Sequence, residues 1–189
     1  MYIDTELLIA AALGAAVCLG HGSAQAQTIE VSMHHVDSTG VLEPLGTVTI
    51  AGSPGGVMFT PALAGLAPGQ HGFHIHDKPD CAPAVDPASG TMSAAFAAGS
   101  HWDPEATKRH RGPHEEGHLG DLPLLVVDAD GTATTAVLAP RLRLEALTGH
   151  ALVIHAGADN YSDAPQKLGG GGARVACGII EAIRTTLRW

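Results

Sequence analysis

Three histidines lie close together at the end of an apolar, alternating run, within Gln70–His76. Successive side chains of a strand point to opposite faces, so the run predicts His74 and His76 on one face and Phe73 and Ile75 on the other. Neutral imidazole is the commonest protein ligand for copper and zinc. Paired histidines also occur on edge strands that bind nothing, so this stretch by itself predicts only half of a metal site.

Further along the chain, histidines stand beside glycines or at the ends of apolar runs. His101 is followed nine residues later by His110, eight residues after that by His118, and then by Asp121. Three imidazoles and one carboxylate fit the tetrahedral nitrogen and oxygen preference of zinc. His155 ends another apolar run, and with the two strand histidines it offers an all-nitrogen site that suits copper. The sequence therefore predicts two metal sites.

The composition sets limits on the fold and on the partners. The chain has 189 residues, 45% hydrophobic and 4% aromatic, with 24 glycines and 12 prolines, which suits one compact domain rich in turns. Its 12 histidines are well above ordinary usage, whereas charged residues make up only 15% of the chain. Metal binding is the first explanation for so many histidines. The net charge is -9 and no long run of lysine or arginine occurs, which argues against nucleic acid as a partner.

Short apolar runs with alternating patterning recur between turn signals and predict an all-β protein. The eight predicted strands cover Ile29, Val31 and Met33, then Thr47–Ala51, Val57–Pro61, Gln70–His76, Leu122–Asp128, Thr132–Leu138, Ala151–His155 and Arg174–Ile180. Asp128–Gly131 is typical of the turn of a hairpin. No stretch has helical periodicity with caps, so we expect an antiparallel sandwich or barrel.

Two connections, 77–121 and 156–173, are far longer than the few residues usual in a compact domain. Four of the candidate ligands lie in the first connection, and the second begins directly after His155. Metal bonds and a disulfide can hold a loop that has no core of its own. We therefore expect both loops to be organised around the metal sites.

Residues 1–26 have the pattern of a secretory signal peptide, which leaves 27–189 as one domain. The apolar run within the signal is too short to span a membrane, and Ser23–Ala26 supplies the small residues of a cleavage site. Cleavage removes Cys18 and leaves Cys81 and Cys177, the number needed for one disulfide in an oxidising compartment. A lipidated Cys18 is the alternative.

Four stretches of the chain carry a resemblance to a known family. They are His71–His76, Gly117–Leu122, Val153–Gly157 and Gly170–Gly178. Together they resemble the copper/zinc superoxide dismutases in their exported bacterial form, and the likeness covers residues 28–180 in order. It implies an eight-stranded Greek-key β-barrel with two long functional loops, located in the periplasm.

The resemblance also assigns a metal to each candidate ligand. It implies that copper binds His74, His76, His101 and His155, and that zinc binds His101, His110, His118 and Asp121. Copper would alternate between Cu(II) and Cu(I) to convert superoxide to oxygen and hydrogen peroxide, while zinc would hold and tune the site. His101 would bridge the metals, leave copper on reduction, and pass a proton to the second superoxide.

Supporting roles follow from the same resemblance. Cys81 would pair with Cys177, and Arg174 would guide the anion to copper. Asp159 would hydrogen-bond a copper ligand and a zinc ligand at once, and His71 would orient the loop without binding metal. The histidines that we expect to lie outside the metal sites are His34, His35, His114 and His150.

Two other functions would use many of the same residues. A copper-delivery or metal-buffering protein would use the same barrel, but it would be expected to lack part of the copper set or the arginine. A structural β-domain stabilised by zinc would leave the strand histidines and His155 without a purpose. We therefore expect superoxide as the partner, with no membrane span. Monomer and homodimer both stay open.

Overall fold

Nearly all the regular structure is β, as the patterning predicts. The computed structural model describes residues 27–182, so the predicted signal peptide lies outside the described residues. Within this range the strands are β1 Thr28–Asp37, β2 Gly40–Ser53, β3 Gly56–Ala64, β4 Gly69–His71, β5 Phe73–His76, β6 Ala84–Asp86, β7 Thr91–Ser93, β8 Leu125–Val127, β9 Thr132–Ala133, β10 Val137–Ala139, β11 His150–His155 and β12 Arg174–Ile180. Short 3-10 helices occur at Phe96–Ala98, Leu144–Ala146 and Leu168–Gly170.

The main sheet has eight antiparallel strands and curls around the core. Its order is β10, β3, β2, β1, β12, β11, β5, with β9 also paired to β3. The last strand in sequence, β12, lies between β1 and β11, and β5 pairs with β11 across a long stretch of chain. These crossings are typical of a Greek key. The predicted all-β, barrel-type fold is confirmed.

The core follows from the alternation on β1. Ile29, Val31 and Met33 are at most 3% exposed, whereas the residues between them face solvent. They pack with the inward side chains of the other strands, including Phe59 and Phe73, whose ring centres lie 5.9 Å apart edge to face. Burial of this apolar surface is the main contribution to the stability of the sheet.

The predicted strand Gln70–His76 is in fact two strands with different partners. β4 pairs with β8 while β5 pairs with β11, and the chain changes partner at Gly72. Gly72 N–H donates to the carbonyl of Gly157, and the Gly72 carbonyl accepts from His155 N–H, both at 2.8 Å. A Cβ at Gly72 would lie only 3.0 Å from the His74 ring, so this break favours glycine.

The predicted hairpin forms its turn but not its strand pair. Asp128 N–H donates to the carbonyl of Thr132 at 2.7 Å, and Gly131 takes a φ of +83°. β8, however, pairs with β4, while β9 and β10 pair with β3. The two runs therefore diverge into different sheets directly after the turn, and the second run is interrupted between β9 and β10.

The connection 77–121 has structure of its own. It contains the β6–β7 hairpin and the 3-10 helix at Phe96–Ala98. A disulfide between Cys81 and Cys177 ties it to β12, as the resemblance implies, and a second cluster of buried small residues surrounds this bond. Among residues 27–182, no helix has the length and apolar character needed to cross a membrane.

Candidate metal centre

The strand-borne candidate ligands meet at one edge of the main sheet. His74 and His76 lie on β5 opposite Val153 and Ala151 of β11. His155 ends β11, where the pairing with β12 shifts register. All three imidazoles are at most 7% exposed. The alternation on β5 is as predicted, and its histidine face is buried as deeply as its apolar face.

The connection 77–121 brings two of its ligands to the free edge of β5. A single backbone bridge joins His101 to His76, and another joins Asp121 to His74. β5 is the last strand in the sheet order, so its outer backbone groups are available for this pairing. Edge pairing therefore places loop-borne ligands beside strand-borne ones.

Gly120 permits the closest of these approaches. Ile75 N–H donates to the carbonyl of Gly120 at 2.9 Å, and the Ile75 carbonyl accepts from Trp102 N–H at 2.8 Å. A Cβ at position 120 would collide with the Ile75 carbonyl. Close packing therefore favours glycine just before Asp121, because any side chain there would push the ligand-bearing segment away from β5.

Two compact sets of donor atoms result. In each set the donor atoms lie within 4.8 Å of one another. The first set is His74, His76, His101 and His155, and the second is His74, His101, His110 and Asp121. The first set has the same members as the predicted copper site.

The second set differs from the predicted zinc site by one residue, because it contains His74 where the prediction has His118. His118 Nδ1 lies 3.5 Å from Asp121 Oδ1, and its ring centre lies 5.6 Å from that of His101. His74 already uses Nε2 in a 2.7 Å hydrogen bond to Asp159, so it has only Nδ1 to offer. If that nitrogen serves the first set, His118 is the adjacent donor that completes the second.

Several of these nitrogens lack the partners that burial normally demands. The buried atoms without a hydrogen bond among the described residues are His74 Nδ1, His101 Nε2, His110 Nδ1 and His118 Nδ1. A buried polar atom left unpaired costs free energy, so such atoms are uncommon unless something binds them. The donor sets therefore fit metal ions: nitrogen alone for copper, nitrogen with oxygen for zinc.

The protonation states on the copper side also suit metal binding, because a ligating imidazole must be deprotonated at the ligating nitrogen. Burial lowers the pKa of His76 and of His155 well below the ordinary value. Burial and the adjacent His74 ring lower the pKa of His101 to about 3. These imidazoles are therefore neutral at pH 7.

Asp159 links the two donor sets. Its Oδ2 accepts from His74 Nε2 and its Oδ1 from His110 Nε2, each at 2.7 Å. Asp121 flanks the other side of His110, with Oδ2 2.9 Å from Nδ1, close enough for a strong charge interaction but not aligned for a hydrogen bond. Burial opposes protonation of His110, but these two carboxylates outweigh it and raise the pKa to about 9. Burial likewise opposes ionisation of Asp159, yet the hydrogen bonds from His110 and His74 lower its pKa.

A cleft of about 580 Å³ opens onto the first donor set. His76, His101 and His155 line it together with the cations Arg174 and Lys167. A small anion that enters the cleft therefore meets positive charge beside the imidazoles.

Arg174 is held by groups of the 77–121 connection. Its guanidinium donates to the carbonyls of Ala95 at 2.5 Å and Gly99 at 2.6 Å, and its Cζ lies 5.1 Å from the centre of the Phe96 ring. Burial lowers the pKa of Arg174 to about 10, against an opposing effect of Asp86, so the side chain stays charged at neutral pH. Sequence patterns could not reveal these contacts, since two of them are made by backbone carbonyls.

The remaining histidines lie outside both donor sets. The ring nitrogens of His71 lie 2.7 Å from the carbonyl oxygen of His155 and 2.8 Å from that of Ala67. His71 thus joins β4 to the end of β11 without offering a free nitrogen. Within residues 27–182, the other histidines outside the two sets, besides His118, are His34, His35, His114 and His150.

Comparisons with known proteins agree with this geometry. Residues 45–180 match the family model described as copper/zinc superoxide dismutase (SODC). The chain belongs to the copper/zinc superoxide dismutase family. Superoxide dismutase (Cu-Zn) 1 of Salmonella typhimurium is 54% identical over 156 residues, which are 82% of this chain and 87% of that protein.

Solved superoxide dismutase structures show the same likeness. The Cu/Zn superoxide dismutase from Brucella abortus has a TM-score of 0.79 at 46% identity, over 82% of this chain and 100% of that chain. The monomeric copper, zinc superoxide dismutase from Salmonella enterica has a TM-score of 0.73 at 52% identity, over 82% and 99%.

As a copper/zinc superoxide dismutase, the chain dismutes superoxide and uses copper and zinc. The resemblance seen in the sequence is confirmed. The copper-delivery alternative is not favoured, because relatives at about this identity are superoxide dismutases and because all four candidate copper donors lie together, with Arg174 in the adjoining cleft.

Proposed function

We propose that this superoxide dismutase binds copper through His74, His76, His101 and His155, and zinc through His101, His110, His118 and Asp121. Each imidazole then serves one metal, apart from His101, which serves both. The division uses every unpartnered buried ring nitrogen of the centre.

The position of His101 carries this assignment. Its Nδ1 lies 2.9 Å from Oδ1 of Asp121, in the zinc set. Its Nε2 is buried without a hydrogen-bond partner among the described residues, and its ring centre lies 5.1 Å from that of His76, in the copper set. One imidazole is therefore available to both metals, through one nitrogen each.

The protein residues divide the remaining work of the reaction. When bound, copper supplies the one-electron oxidation and reduction of superoxide, and zinc supplies fixed positive charge. Arg174 attracts and positions the anion, because its guanidinium is charged and lines the cleft. Whenever copper would not hold it, His101 Nε2 would carry a proton and donate it as peroxide forms, since no protein acceptor among the described residues competes for that atom.

Asp159 prepares imidazoles on both sides for this role. Nε2–H of His74 and Nε2–H of His110 donate to its two oxygens, which leaves Nδ1 of each ring for a metal. A carboxylate in this position fixes the tautomer and the orientation of a ligand and raises its basicity.

We further infer that the enzyme works in the periplasm. The signal pattern of 1–26 and the Cys81–Cys177 disulfide both support export, since disulfides persist in oxidising compartments. The proposed ligands and Arg174 all come from one chain. The chemistry is therefore independent of whether the chain is a monomer or a homodimer.

Metal content and the rate of superoxide decay test the assignment. We expect purified protein to hold one copper and one zinc per chain by plasma mass spectrometry, one for each donor set. Stopped-flow decay of superoxide should run far above the uncatalysed rate. Protein that takes up no copper, or that binds copper without turnover, would contradict the proposal.

The fourth zinc ligand has a matched control in the same loop. His118→Ala should lose zinc, because it removes a buried donor beside Asp121. His114→Ala should keep both metals and the parental rate, because His114 is exposed and belongs to neither set. The reverse result would reassign the ligand.

A further inference from the structure

Tyr161 has an unusual backbone conformation near the metal centre. Its φ is +57°, in the left-handed region that bulky residues rarely adopt. The side chain is half-buried, and none of the chemistry described above uses it. Such a conformation persists only where surrounding contacts hold it, and these outliers concentrate at functional sites.

Two hydrogen bonds tie Tyr161 to Asp159 in its own loop and to the chain just after the 77–121 connection. Its N–H donates at 2.7 Å to Oδ1 of Asp159, the oxygen that also accepts from His110. Its hydroxyl accepts from Leu124 N–H at 3.0 Å, three residues beyond the zinc-side ligand Asp121. The backbone of Tyr161 therefore contacts Asp159, and its side chain contacts the segment that follows Asp121.

The ring of Tyr161 also packs directly on Gly112. A Cβ added at position 112 would lie 2.7 Å from ring carbons, so no side chain fits there while the ring keeps its place. Gly112 follows His110 by two residues. The ring therefore limits how far the segment that carries His110 can move relative to the loop that carries Asp159.

We propose that Tyr161 is a positioning residue that sets the orientation of Asp159 and, through it, of the His74 and His110 imidazoles. This inference rests on the proposed function, because it takes both imidazoles as metal ligands. The left-handed conformation lets Tyr161 direct its N–H to the carboxylate while its side chain is fixed against the neighbouring loop.

A positioning role and a packing role predict different measurements. A ring that only fills space lowers the melting temperature when it is removed. A ring that positions Asp159 changes how the two imidazoles meet their metals, whatever happens to the melting temperature. Zinc release to a chelator, and the visible spectrum of Co(II) placed in the zinc site, report the second effect.

Two substitutions separate the parts of the Tyr161 side chain. Tyr161→Phe keeps the ring and removes the hydrogen bond from Leu124, whereas Tyr161→Leu removes the ring as well. In the metal-loaded protein we expect zinc release to accelerate about 10-fold in Tyr161→Leu, the low end for residues behind metal ligands. Tyr161→Phe should give a smaller acceleration, and the Co(II) spectrum should shift with Leu more than with Phe.

Gly112→Ala tests the ring contact from the other side. The new methyl meets the Tyr161 ring, so zinc release should accelerate in the parental protein and less so in Tyr161→Leu. Gly112 has a φ of +71°, so alanine is strained there in both backgrounds. The difference between the two effects therefore isolates the contact between residues 112 and 161. Equal effects in both backgrounds would contradict it.

Phe59→Leu controls for general destabilisation. Phe59 is fully buried on β3, paired with Ile50 of β2 and Val137 of β10, so its replacement should lower the melting temperature and leave zinc release and the Co(II) spectrum unchanged. Parental zinc release and spectrum in both Tyr161 variants would overturn the inference alone. A parental protein that held no zinc would instead contradict the proposed function.

Discussion

The proposed metal ligands fall into two groups that the fold holds in different ways. The strand ligands are His74, His76 and His155, and the loop ligands are His101, His110, His118 and Asp121. The strand ligands sit on β5 and β11, whose continuous backbone pairing fixes the direction of each side chain. The loop ligands sit in 77–121, where single bridges at two positions join the loop to the edge of β5.

The difference between continuous strand pairing and single bridges indicates where metal binding and folding are coupled. The strands are packed on a core that needs no metal, so the sheet places three of the four proposed copper ligands. The loop ligands depend on a disulfide, on edge pairing and on Asp159 for their order. Where a site is incompletely preformed, the free energy of metal binding contributes to folding. We therefore expect zinc to stabilise the loop more than copper stabilises the sheet.

The largest expected effect comes from removing a strand ligand. His155→Ala takes one donor from copper and none from zinc. Copper affinity and activity should fall by more than about 100-fold, beyond the range for groups one layer behind a ligand, while zinc stays at one per chain. Metal analysis and stopped-flow rates check this, with His150→Ala at the other end of β11 as the control. Loss of both metals together would show that the two groups are not separable.

The next effect tests the link between the two groups. Asp159→Asn replaces a carboxylate that accepts from His74 and His110 with an amide that can accept on one side only. We expect both metals to bind 10- to 100-fold more weakly, as is typical of such changes. Competition titrations with chelators measure each affinity. Parental affinity for either metal would leave Asp159 outside that site.

Asp163→Asn is the matched variant for that test. Asp163 accepts only from backbone groups in this region, His110 N–H at 2.9 Å and Leu168 N–H at 3.3 Å. Its replacement should therefore weaken zinc binding slightly and leave copper unchanged. A copper defect as large as that of Asp159→Asn would mean that loop disorder, and not the shared carboxylate, joins the two groups.

The two groups also differ in how much of them the sequence predicts. Alternation over Phe73–His76 is enough to place both strand histidines on one face. The change of partner at Gly72 is not predictable in the same way, because a period of two reports faces and not neighbours. For the loop ligands, spacing and family resemblance predict which residues bind metal. They do not predict where those residues lie, because the pairing with the edge of β5 produces no repeating pattern in the sequence.

Arg174 depends on both the sheet and the loop, because it lies on β12 and its guanidinium is held by carbonyls of the 77–121 connection. The net charge of the chain is -9, so overall attraction cannot explain a fast encounter with an anion. Arg174→Ala should lower the second-order rate about 10-fold and flatten its dependence on ionic strength, with copper content unchanged. Arg143→Ala makes the same charge change at an exposed site outside the cleft, and it should keep the parental rate.

The smallest expected effect concerns a loop residue that opposes Arg174. Asp86 ends β6 and lines the same cleft, with Oδ1 held by Ala88 N–H at 2.8 Å and Oδ2 3.3 Å from the Ser89 hydroxyl. A negative charge at this place repels the substrate. At a separation on the order of 10 Å in a water-like dielectric, one charge changes the energy of an anion by about 0.4 kcal/mol. Asp86→Asn should therefore raise the second-order rate about 2-fold at low salt.

Asp130→Asn supplies the comparison that decides whether this effect is local. Asp130 is held in a similar way, by Thr132 N–H at 3.0 Å and the Thr132 hydroxyl at 2.7 Å, but it lies in the turn before β9 and outside the cleft lining. Both substitutions change the net charge equally and keep an oxygen acceptor. If the loop shapes the field at the copper opening, only Asp86→Asn speeds the reaction, and added salt removes the gain because exposed charges are screened within about 10 Å at 0.1 M. An equal gain over the parental rate in the two variants would mean that net charge governs the encounter, and parental rates in both would mean that the loop positions Arg174 without shaping the field around it.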